Sequence, residues 1–264
     1  MIKAASDMLR ALRRGDFTGV VLWEGKSALD GAPIAAIACR ITEASDNSKT
    51  GDMVQTFIIR TDIPPLDALK TGADQSVCGF CKHRPYRGGR CYVQVGRAPT
   101  SVYDAYHRGR YARPGRDYER GILPALFQGL VFRLGSYGDP CAVPFSVWRL
   151  CTIRVAGQAG YTHQWRDFRF QAFRLLCMAS VDSEDEAREA HAMGWRTFRV
   201  RLGDEALMDY EISCAASGEM GHKTTCADCQ ACGGTEAKAR VNITIISHGP
   251  GASGFALTQA RAAL

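Results

Sequence analysis

The chain has 264 residues, 46% hydrophobic and 23% charged, which is the composition of a globular protein large enough to bury a full core. No apolar run is long enough to span a bilayer, and the N-terminus lacks the apolar core and cleavage site of a secretory signal, so we expect a cytoplasmic protein with no membrane partner. Eleven cysteines in a reducing compartment favour metal ligation over a disulfide framework.

Residues 1–52 predict an N-terminal helix followed by a meander of strands. Met8, Leu9 and Leu12 recur at helical spacing within residues 3–14. The apolar runs VVLW and IAAIACRI, between residues 18 and 41, are typical of paired strands. MVQTFIIR is the first strong strand, and the main domain, residues 53–264, is expected to begin with it.

Residues 61–116 form an expected insertion that is rich in basic residues. Between Lys82 and Arg116, nine Lys or Arg accompany one acid, so this stretch has a net charge of +8 within a chain of +6. Five of the nine tyrosines lie in the same stretch. Interleaved cations and aromatic rings suit phosphates and unpaired bases, which favours contact with DNA or RNA over a solvated basic loop. The predicted nucleic-acid contacts are Arg84, Arg87, Arg90, Tyr92, Arg97, Tyr106, Arg108, Arg110, Tyr111 and Arg113.

From residue 117 onward, helical and strand patterns alternate. Helices are predicted at 117–128, 146–156 and 184–193, and strands at 130–140, 160–165, 173–182, 196–202, 211–214 and 241–249. This alternation is typical of parallel strands joined by crossover helices. It predicts an α/β fold that forms a full or partial (β/α) TIM-like barrel, with metal-binding cysteine insertions.

Polar residues follow three of the predicted strands. Taken singly, Asp139 suits a turn before proline, Asp182 suits a neighbour of the capping residue Ser183, and His163 could be a core histidine. Together, carboxylates from neighbouring strand ends would face one cavity, as a nucleophile and an acid/base pair at a sugar carbon require. Asp139, Asp182 and His163 are therefore the candidate catalytic residues.

The most specific motif is a late cysteine cluster, within an expected zinc-type subdomain at residues 211–249. Cys226, Cys229 and Cys232 are separated by two residues each, Cys214 precedes them, and His248 follows. Three of these cysteines with His248 would make a tetrahedral zinc site, whereas four cysteines would suit zinc or an iron–sulfur cluster. Zinc is the expected cofactor of this cluster.

An earlier cluster, Cys78, Cys81 and Cys91, is one thiolate short of a standard structural zinc site. His83 or His107 could complete it for zinc. Alternatively, the open fourth position suits an iron–sulfur cluster that binds a ligand through its unique iron. A loop of reactive, unliganded thiols is the remaining interpretation.

Several motifs resemble a family of bacteriophage proteins, most of which carry no functional assignment, over about residues 49–249. The motifs are KTGDMVQTFI, CxxC followed by CYV, RLGSYGDP, GYTHQW, SVD, CAASGEMGHKTTCADCQACGG and ITIISHG. This resemblance implies the cytoplasm of an infected bacterium as the location.

The chain also resembles, more distantly, the tRNA-guanine transglycosylases and their phage DNA counterparts, which install 7-deazaguanine bases. Those enzymes are (β/α) barrels with a late Cys-Cys-Cys-His zinc site, similar in order to Cys226, Cys229, Cys232 and His248. They use one aspartate as nucleophile at C1′ of the sugar and another as acid/base. Asp139 and Asp182 are the nearest matches to that pair, and a small 7-deazaguanine base is the implied second substrate.

A further partial resemblance is to the radical-SAM enzymes. These are partial (β/α) barrels with three cysteines near an early strand and often a cysteine-rich C-terminal extension. GDP after one strand and SVD two strands later are similar to that superfamily's second- and fourth-strand motifs.

The leading hypothesis from sequence is a phage DNA guanine transglycosylase that exchanges guanine for a 7-deazaguanine base. The first alternative is a radical-SAM-like enzyme that holds an iron–sulfur cluster at Cys78, Cys81 and Cys91. The second is a zinc-stabilised nucleic-acid-binding protein without catalytic activity. The sequence makes no prediction of oligomeric state.

Overall fold

The computed structural model describes residues 1–45, 47–89 and 91–248, together with Ala252 and Phe255. Its strands are β1 (Gly19–Lys26), β2 (Pro33–Cys39), β3 (Met53–Arg60), β4 (Tyr111–Ala112), β5 (Val131–Tyr137), β6 (Gly157–Thr162), β7 (Met178–Val181), β8 (Thr197–Arg201), β9 (Glu211–Ser213) and β10 (Asn242–Ile246). Its α-helices are α1 (Ala5–Arg14), α2 (Pro65–Thr71), α3 (Gln75–Cys78), α4 (Ala98–His107), α5 (Leu123–Leu126), α6 (Phe145–Thr152), α7 (Glu184–Ala192) and α8 (Cys226–Cys229).

All ten strands belong to one sheet, in the order β4-β1-β2-β3-β5-β6-β7-β8-β10-β9. Neighbouring strands are parallel except around β2, which is antiparallel to both β1 and β3. The edge strands, β4 and β9, pair with one neighbour each, so the sheet is open. The α/β prediction is confirmed, the expectation of a full barrel is not met because the two edges do not join, and a partial barrel stays a prediction.

The N-terminal residues share the sheet and the core of the main domain. β1 and β2 continue the sheet beyond β3, and Met8 and Leu12 of α1 pack into the principal hydrophobic cluster. α1 ends at Gly15, whose φ of 80° is in the left-handed region that glycine tolerates best. The predicted helix, the strand pair and the strand at 53–60 are therefore confirmed.

Two segments differ from their predicted structure. Residues 117–128 were expected to form one helix, but they contain a 3-10 turn at Arg120–Ile122 and then only the short α5, whose second residue is Pro124. Residues 173–182 were expected to be a strand, but a 3-10 helix, Phe168–Leu175, precedes the strand and buries Phe170 and Phe173 three positions apart. Proline in the first segment and aromatic residues at turn spacing in the second explain the differences.

Side chains alternate in direction along β5, so that every second one faces the core and the others face the opposite side of the sheet. Phe132 and Leu134 are buried, and the Phe132 ring centroid lies 6.4 Å from that of Trp148 on α6. Arg133, between them, points to the other face, because successive side chains alternate along a strand. Within the described residues, no helix is long and apolar enough to cross a membrane.

Candidate functional site

A cavity of about 400 Å³ lies on the face of the sheet toward which Arg133 points. Its walls include side chains of β3, β5, β6, β7, β8, β9 and β10. Two groups of cysteines line it. We call Cys78, Cys81 and Cys91 the first cysteine set and Cys214, Cys226, Cys229 and Cys232 the second cysteine set. All seven are free thiols.

The loop of the first cysteine set lies beyond the carboxyl end of β3 and is held by Gln164. Oε1 of Gln164 accepts a hydrogen bond from the Phe80 backbone N–H at 3.1 Å, and its Nε2 donates to the Cys78 carbonyl at 3.3 Å. Gly79 has a φ of 56°, and a Cβ on it would lie 2.6 Å from the Gln164 amide. The backbone conformation therefore favours glycine between the two cysteines of the CxxC, and any larger residue would have to displace the Gln164 amide.

Asp139 holds Gln164 in turn. Its carboxylate accepts four hydrogen bonds, from Cys141 N at 3.0 Å, Thr162 Oγ1 at 2.7 Å, His163 N at 2.8 Å and Gln164 Nε2 at 3.1 Å. Asp139 lies in the turn after β5. The donors are Cys141, two residues further along the chain, and residues at or just after the end of β6. A carboxylate with both oxygens committed in this way positions its neighbours and is poorly placed to act as a nucleophile.

Asp182, after β7, binds the same cysteine loop from the other side. Its Oδ2 lies 2.8 Å from Nε2 of His83 and 3.0 Å from Nζ of Lys82, the two residues that follow Cys81. Burial would raise the pKa of Asp182, but the hydrogen bond from His83 and the charges of His83 and Lys82 outweigh it and lower the pKa. The predicted capping interaction is also present, since Ser183 accepts from Glu186 N at 3.2 Å.

His163 faces the cavity beside the first cysteine set. Its Nε2 lies 3.7 Å from Sγ of Cys81, and its ring centroid lies 5.7 Å from that of His83. Burial lowers the pKa of His163, and the nearby Asp182 opposes that shift. The three residues predicted to be catalytic thus surround the cysteine loop, with Asp139 and Asp182 acting as its supports.

Most of the second cysteine set is attached at the opposite, amino-terminal side of the strands, whereas Cys214 directly follows β9. Cys226 N donates to the carbonyl of Lys49 at 2.9 Å, just before β3. Arg196, just before β8, donates to the carbonyls of Gly234 at 2.7 Å and Ala231 at 2.9 Å. The cavity therefore extends between a cysteine set beyond the carboxyl end of β3 and another fixed near the amino ends of β3 and β8.

The donor sets suit metal or cluster ligation. Burial raises the pKa of Cys78 well above its usual range, and the charges of Cys81 and Cys91 raise it further. Burial raises the pKa of Cys232 to about 12, and the charges of its three partners in the set act in the same direction. Thiols close enough to oppose one another's ionisation become thiolates when they share a cation.

A formed centre is not present among the side chains. In the part of the chain that the structure describes, no three His, Cys, Asp or Glu side chains are grouped around a common ion position. His248, the predicted fourth zinc ligand, is exposed, with Nδ1 2.8 Å from the Ile246 carbonyl and Nε2 3.3 Å from Lys49 Nζ. Because both His248 nitrogens have partners, the four thiols of the second set are the more consistent donors.

The predicted nucleic-acid contacts divide into buried and exposed residues. Arg84 is 3% exposed, with its guanidinium 3.0 Å and 2.6 Å from the two carboxylate oxygens of Asp74, and Tyr106 and Tyr111 are each 4% exposed. These three residues have structural roles, because buried side chains cannot reach a nucleic acid. The sequence could not show this, because the contact between Arg84 and Asp74, which are ten residues apart, forms only in the tertiary fold.

The remaining basic residues are spread over the surface. Arg113 pairs with Glu24 at 3.3 Å and stacks on the Tyr106 ring, and Arg110 donates to the Gly15 carbonyl at 3.2 Å. Tyr92 lines the cavity and is also 41% exposed. Arg90 lies outside the described residues. The exposed arginines of the predicted group with no ion pair among the described residues are Arg87, Arg97, Arg108 and Arg110.

An outer groove of about 430 Å³ adjoins the cavity, and the two share His163 and Ser180. Its lining includes Phe80, which is 62% exposed, and the cations Lys82, Arg87 and Arg166. Exposed aromatic and cationic groups therefore do occur together, although at this groove and not across residues 108–113.

Sequence analysis missed the residues that position the site. Gln164 and Lys82 were not predicted to have a role, and His83 was considered only as a zinc ligand. Gln164 lies beside His163 in GYTHQW and Lys82 beside Cys81, so adjacency to a predicted residue was the available signal. Arg133 lies within a strand pattern, where a single charge could equally face solvent.

Fold and site together define an α/β protein in which two sets of free cysteines open on one cavity. Comparison with known proteins adds no relative to this description: no protein-family model matches the chain, and neither a curated protein nor a solved structure matches it significantly.

Proposed function

We propose that the chain is an iron–sulfur enzyme of the radical-SAM type, with Cys78, Cys81 and Cys91 as the cluster ligands. The observation that carries the proposal is the position of these cysteines relative to the sheet. Six strands, β3, β5, β6, β7, β8 and β10, are consecutive parallel neighbours, and the first cysteine set follows the first of them. Asp139 follows the second strand and Asp182 the fourth, where the motifs of the radical-SAM resemblance lie.

The chemistry of the donor set supports a cluster over structural zinc at this position. Three thiols line a cavity, and neither described histidine proposed as a fourth ligand is free to complete a closed site: His83 contacts Asp182, and His107 stacks on Tyr103 with ring centroids 4.4 Å apart. An open coordination position beside a cavity is a place for a ligand. The spacing Cys78-x2-Cys81-x9-Cys91 differs from the usual CxxxCxxC, so the loop between Cys81 and Cys91 is longer.

Cys78, Cys81 and Cys91 would hold the cluster, which in its reduced form would supply the one electron that cleaves a carbon–sulfur bond of a sulfonium such as S-adenosylmethionine, leaving methionine and a carbon radical. The residues of this chain hold the loop that carries the ligands. Gln164 and Asp139 fix the backbone at Cys78 and Phe80, and Asp182 fixes Lys82 and His83. His163, half-buried beside Cys81, is placed to hold or pass a proton at its Nε2.

The second cysteine set would hold a further metal centre at the other end of the cavity. Its four thiols suit zinc or an iron–sulfur cluster. The zinc expected from sequence stays a prediction.

The transglycosylase hypothesis also stays a prediction. Its proposed nucleophile, Asp139, is engaged by four hydrogen bonds, and its proposed acid/base, Asp182, is in contact with Lys82 and His83. A base-exchange assay on duplex and single-stranded DNA tests it directly: incorporation of a labelled 7-deazaguanine base would replace our proposal.

The proposal is tested by anaerobic purification and reconstitution with iron and sulfide, followed by metal analysis and visible spectroscopy. We expect a brown protein that, with dithionite, releases methionine from S-adenosylmethionine. Cys81→Ser should lose methionine release and part of the iron, whereas Cys39→Ser, a single thiol outside the cavity, should keep both. Zinc alone with no visible chromophore would overturn the proposal in favour of a zinc-stabilised binding protein.

A further inference from the structure

Arg133 is unusual among the residues that line the cavity. Of the lining residues contributed by the strands in the described part of the chain, it alone carries a charge. Most of the other strand residues that line the cavity are apolar or aromatic, among them Tyr161 and Phe198, whose ring centroids are 4.5 Å apart. Arg133 is half-buried, and a ligand that fills the cavity would desolvate its guanidinium, which is costly unless the ligand supplies a partner.

No partner for the Arg133 side chain is present among the described residues. It forms no hydrogen bond, ion pair or ring contact there, whereas each of the buried arginines donates two or more side-chain hydrogen bonds: Arg84, Arg196, Arg199 and Arg201. The acidic residue on the cavity wall is Asp139, and both of its oxygens are occupied by other donors. The cavity therefore has an unmatched positive charge.

Two residues of the loop before β3 add to this charge and polarity. Thr50 lines the cavity, is 5% exposed, and its hydroxyl has no hydrogen-bond partner within the described residues. Lys49 also lines the cavity, with its ammonium 3.3 Å from His248 Nε2. Cation, hydroxyl and ammonium together are the donors that bind carboxylates and phosphates.

We propose that the cavity binds a substrate with an apolar or aromatic body and a carboxylate or phosphate group, and that Arg133 is the anion-binding residue. Thr50 and Lys49 supply further donors. Arg133 is four residues before the end of β5, so along the strand it lies roughly 13 Å from Tyr137 and the turn that carries Asp139. The anionic group is thereby held toward the second cysteine set, and the body of the substrate extends toward the first.

This inference rests on the proposed function only in taking the cavity as the substrate site. A different role for Arg133 is to neutralise thiolates of the second cysteine set, since burial raises the pKa of Cys226 and the charge of Arg133 opposes that rise. The two roles differ in outcome. An anion-binding residue changes affinity for ligands and leaves metal content unchanged, whereas a partner of the thiolates changes metal content.

The test compares anions with matched neutral molecules on the full-length protein by isothermal titration calorimetry. The pairs are 3-phenylpropionate with 3-phenylpropanol, and deoxyguanosine 5′-monophosphate with deoxyguanosine; the first pair represents a carboxylate and the second a phosphate. We expect at least one anion to bind more tightly than its neutral partner. Arg133→Met should remove that preference, a loss of roughly tenfold to a hundredfold in affinity, and Arg133→Lys should retain part of it.

Arg154→Met is the matched control, because Arg154 is exposed and does not line the cavity. Equal affinity of anions and neutral partners, or an anion preference that persists in Arg133→Met, would overturn the inference. Loss of metal from Arg133→Met would assign the residue to the thiolates instead. Anion binding by a colourless zinc protein would leave this inference standing while removing the iron–sulfur proposal.

Discussion

Nε2 of His83 lies 2.8 Å from Oδ2 of Asp182, and both side chains are almost fully buried, at 6% and 1% exposure. Lys82 Nζ approaches the same oxygen at 3.0 Å. The carboxyl end of β7 is thereby joined to the loop of the first cysteine set. Asp182, which the sequence suggested as an acid/base catalyst, serves in the structure as an anchor for this loop.

Replacing Asp182 should therefore reduce stability. Asp182→Asn keeps the shape but leaves Lys82 and His83 without their anion, and we expect the free energy of unfolding in urea at pH 7 to fall by about 3 kcal/mol. Asp185→Asn is the control, since Asp185 is 96% exposed and its pair with Arg188 should contribute less than about 1 kcal/mol. Equal effects of the two substitutions would contradict the anchoring role.

The same contact predicts a pH dependence. Because the pKa of Asp182 is lower in the folded chain than in the unfolded chain, the unfolded state binds the proton first as the pH falls. The stabilisation is fully present above the unfolded value of about 3.9 and is lost as the pH falls through the lower folded value. Urea midpoints measured from pH 6 to pH 2 should fall more steeply for the unmodified chain than for Asp182→Asn.

Asp139 gives a sharper distinction between support and catalysis. Asp139→Asn would place an amide nitrogen against one or more of four donors, and we expect a loss of about 2 kcal/mol in stability. The loop at Cys78 and Cys81 should also react faster with a maleimide, because Gln164 loses its partner. A catalytic nucleophile would behave differently: the variant would keep its stability and thiol reactivity and lose base exchange.

Much of the sheet could be predicted from sequence because its strands are local apolar patterns. The strands at 53–60 and 196–202, and the cap at Ser183, depend on residues close in sequence. The contacts that build the site do not: Gln164 reaches Cys78 across 86 residues and Asp182 reaches His83 across 99 residues. Periodicity contains no information on such pairs, so the sequence placed the aspartates at the strand ends but could not show their contacts with the cysteine loop, and their catalytic role stays a prediction.

The open sheet and the buried basic residues illustrate the same limit. Alternating helices and strands are equally compatible with a closed and an open sheet, since closure depends on whether the two edge strands pair. Likewise, a count of positive charges cannot separate Arg84, bound to buried Asp74, from the exposed Arg108. Only the tertiary contacts decide which cations are available to a partner.

The exposed basic residues make a separate prediction about nucleic acid. Combined replacement of Arg87, Arg97 and Arg108 by Gln should weaken binding to single-stranded DNA and reduce the slope of log affinity against log salt by about 2. The measurement is fluorescence anisotropy of a labelled oligonucleotide at several salt concentrations. Arg84→Lys is the contrast, since it should lower stability and leave the salt slope unchanged. An unaltered slope in the triple variant would remove these residues from any nucleic-acid surface.

Arg196 offers a way to disturb the second cysteine set without changing a cysteine. It is 7% exposed, and its guanidinium donates to the carbonyls of Ala231, Gly234 and Val241. Arg196→Met would leave these carbonyls without their charged donor, so we expect a loss of about 3 kcal/mol and a decrease in bound metal.

The origin of the lost metal can be identified by comparison with Cys81→Ser. If the two sets are independent centres at opposite ends of the cavity, Arg196→Met should lose the metal of the second set and keep methionine release at the first, and Cys81→Ser should show the reverse. The double variant should then lose the sum of the two amounts. If either single variant loses all of its metal, the two sets are not independent. Damage to one set would then also unfold the other, and both would belong to one cooperative unit.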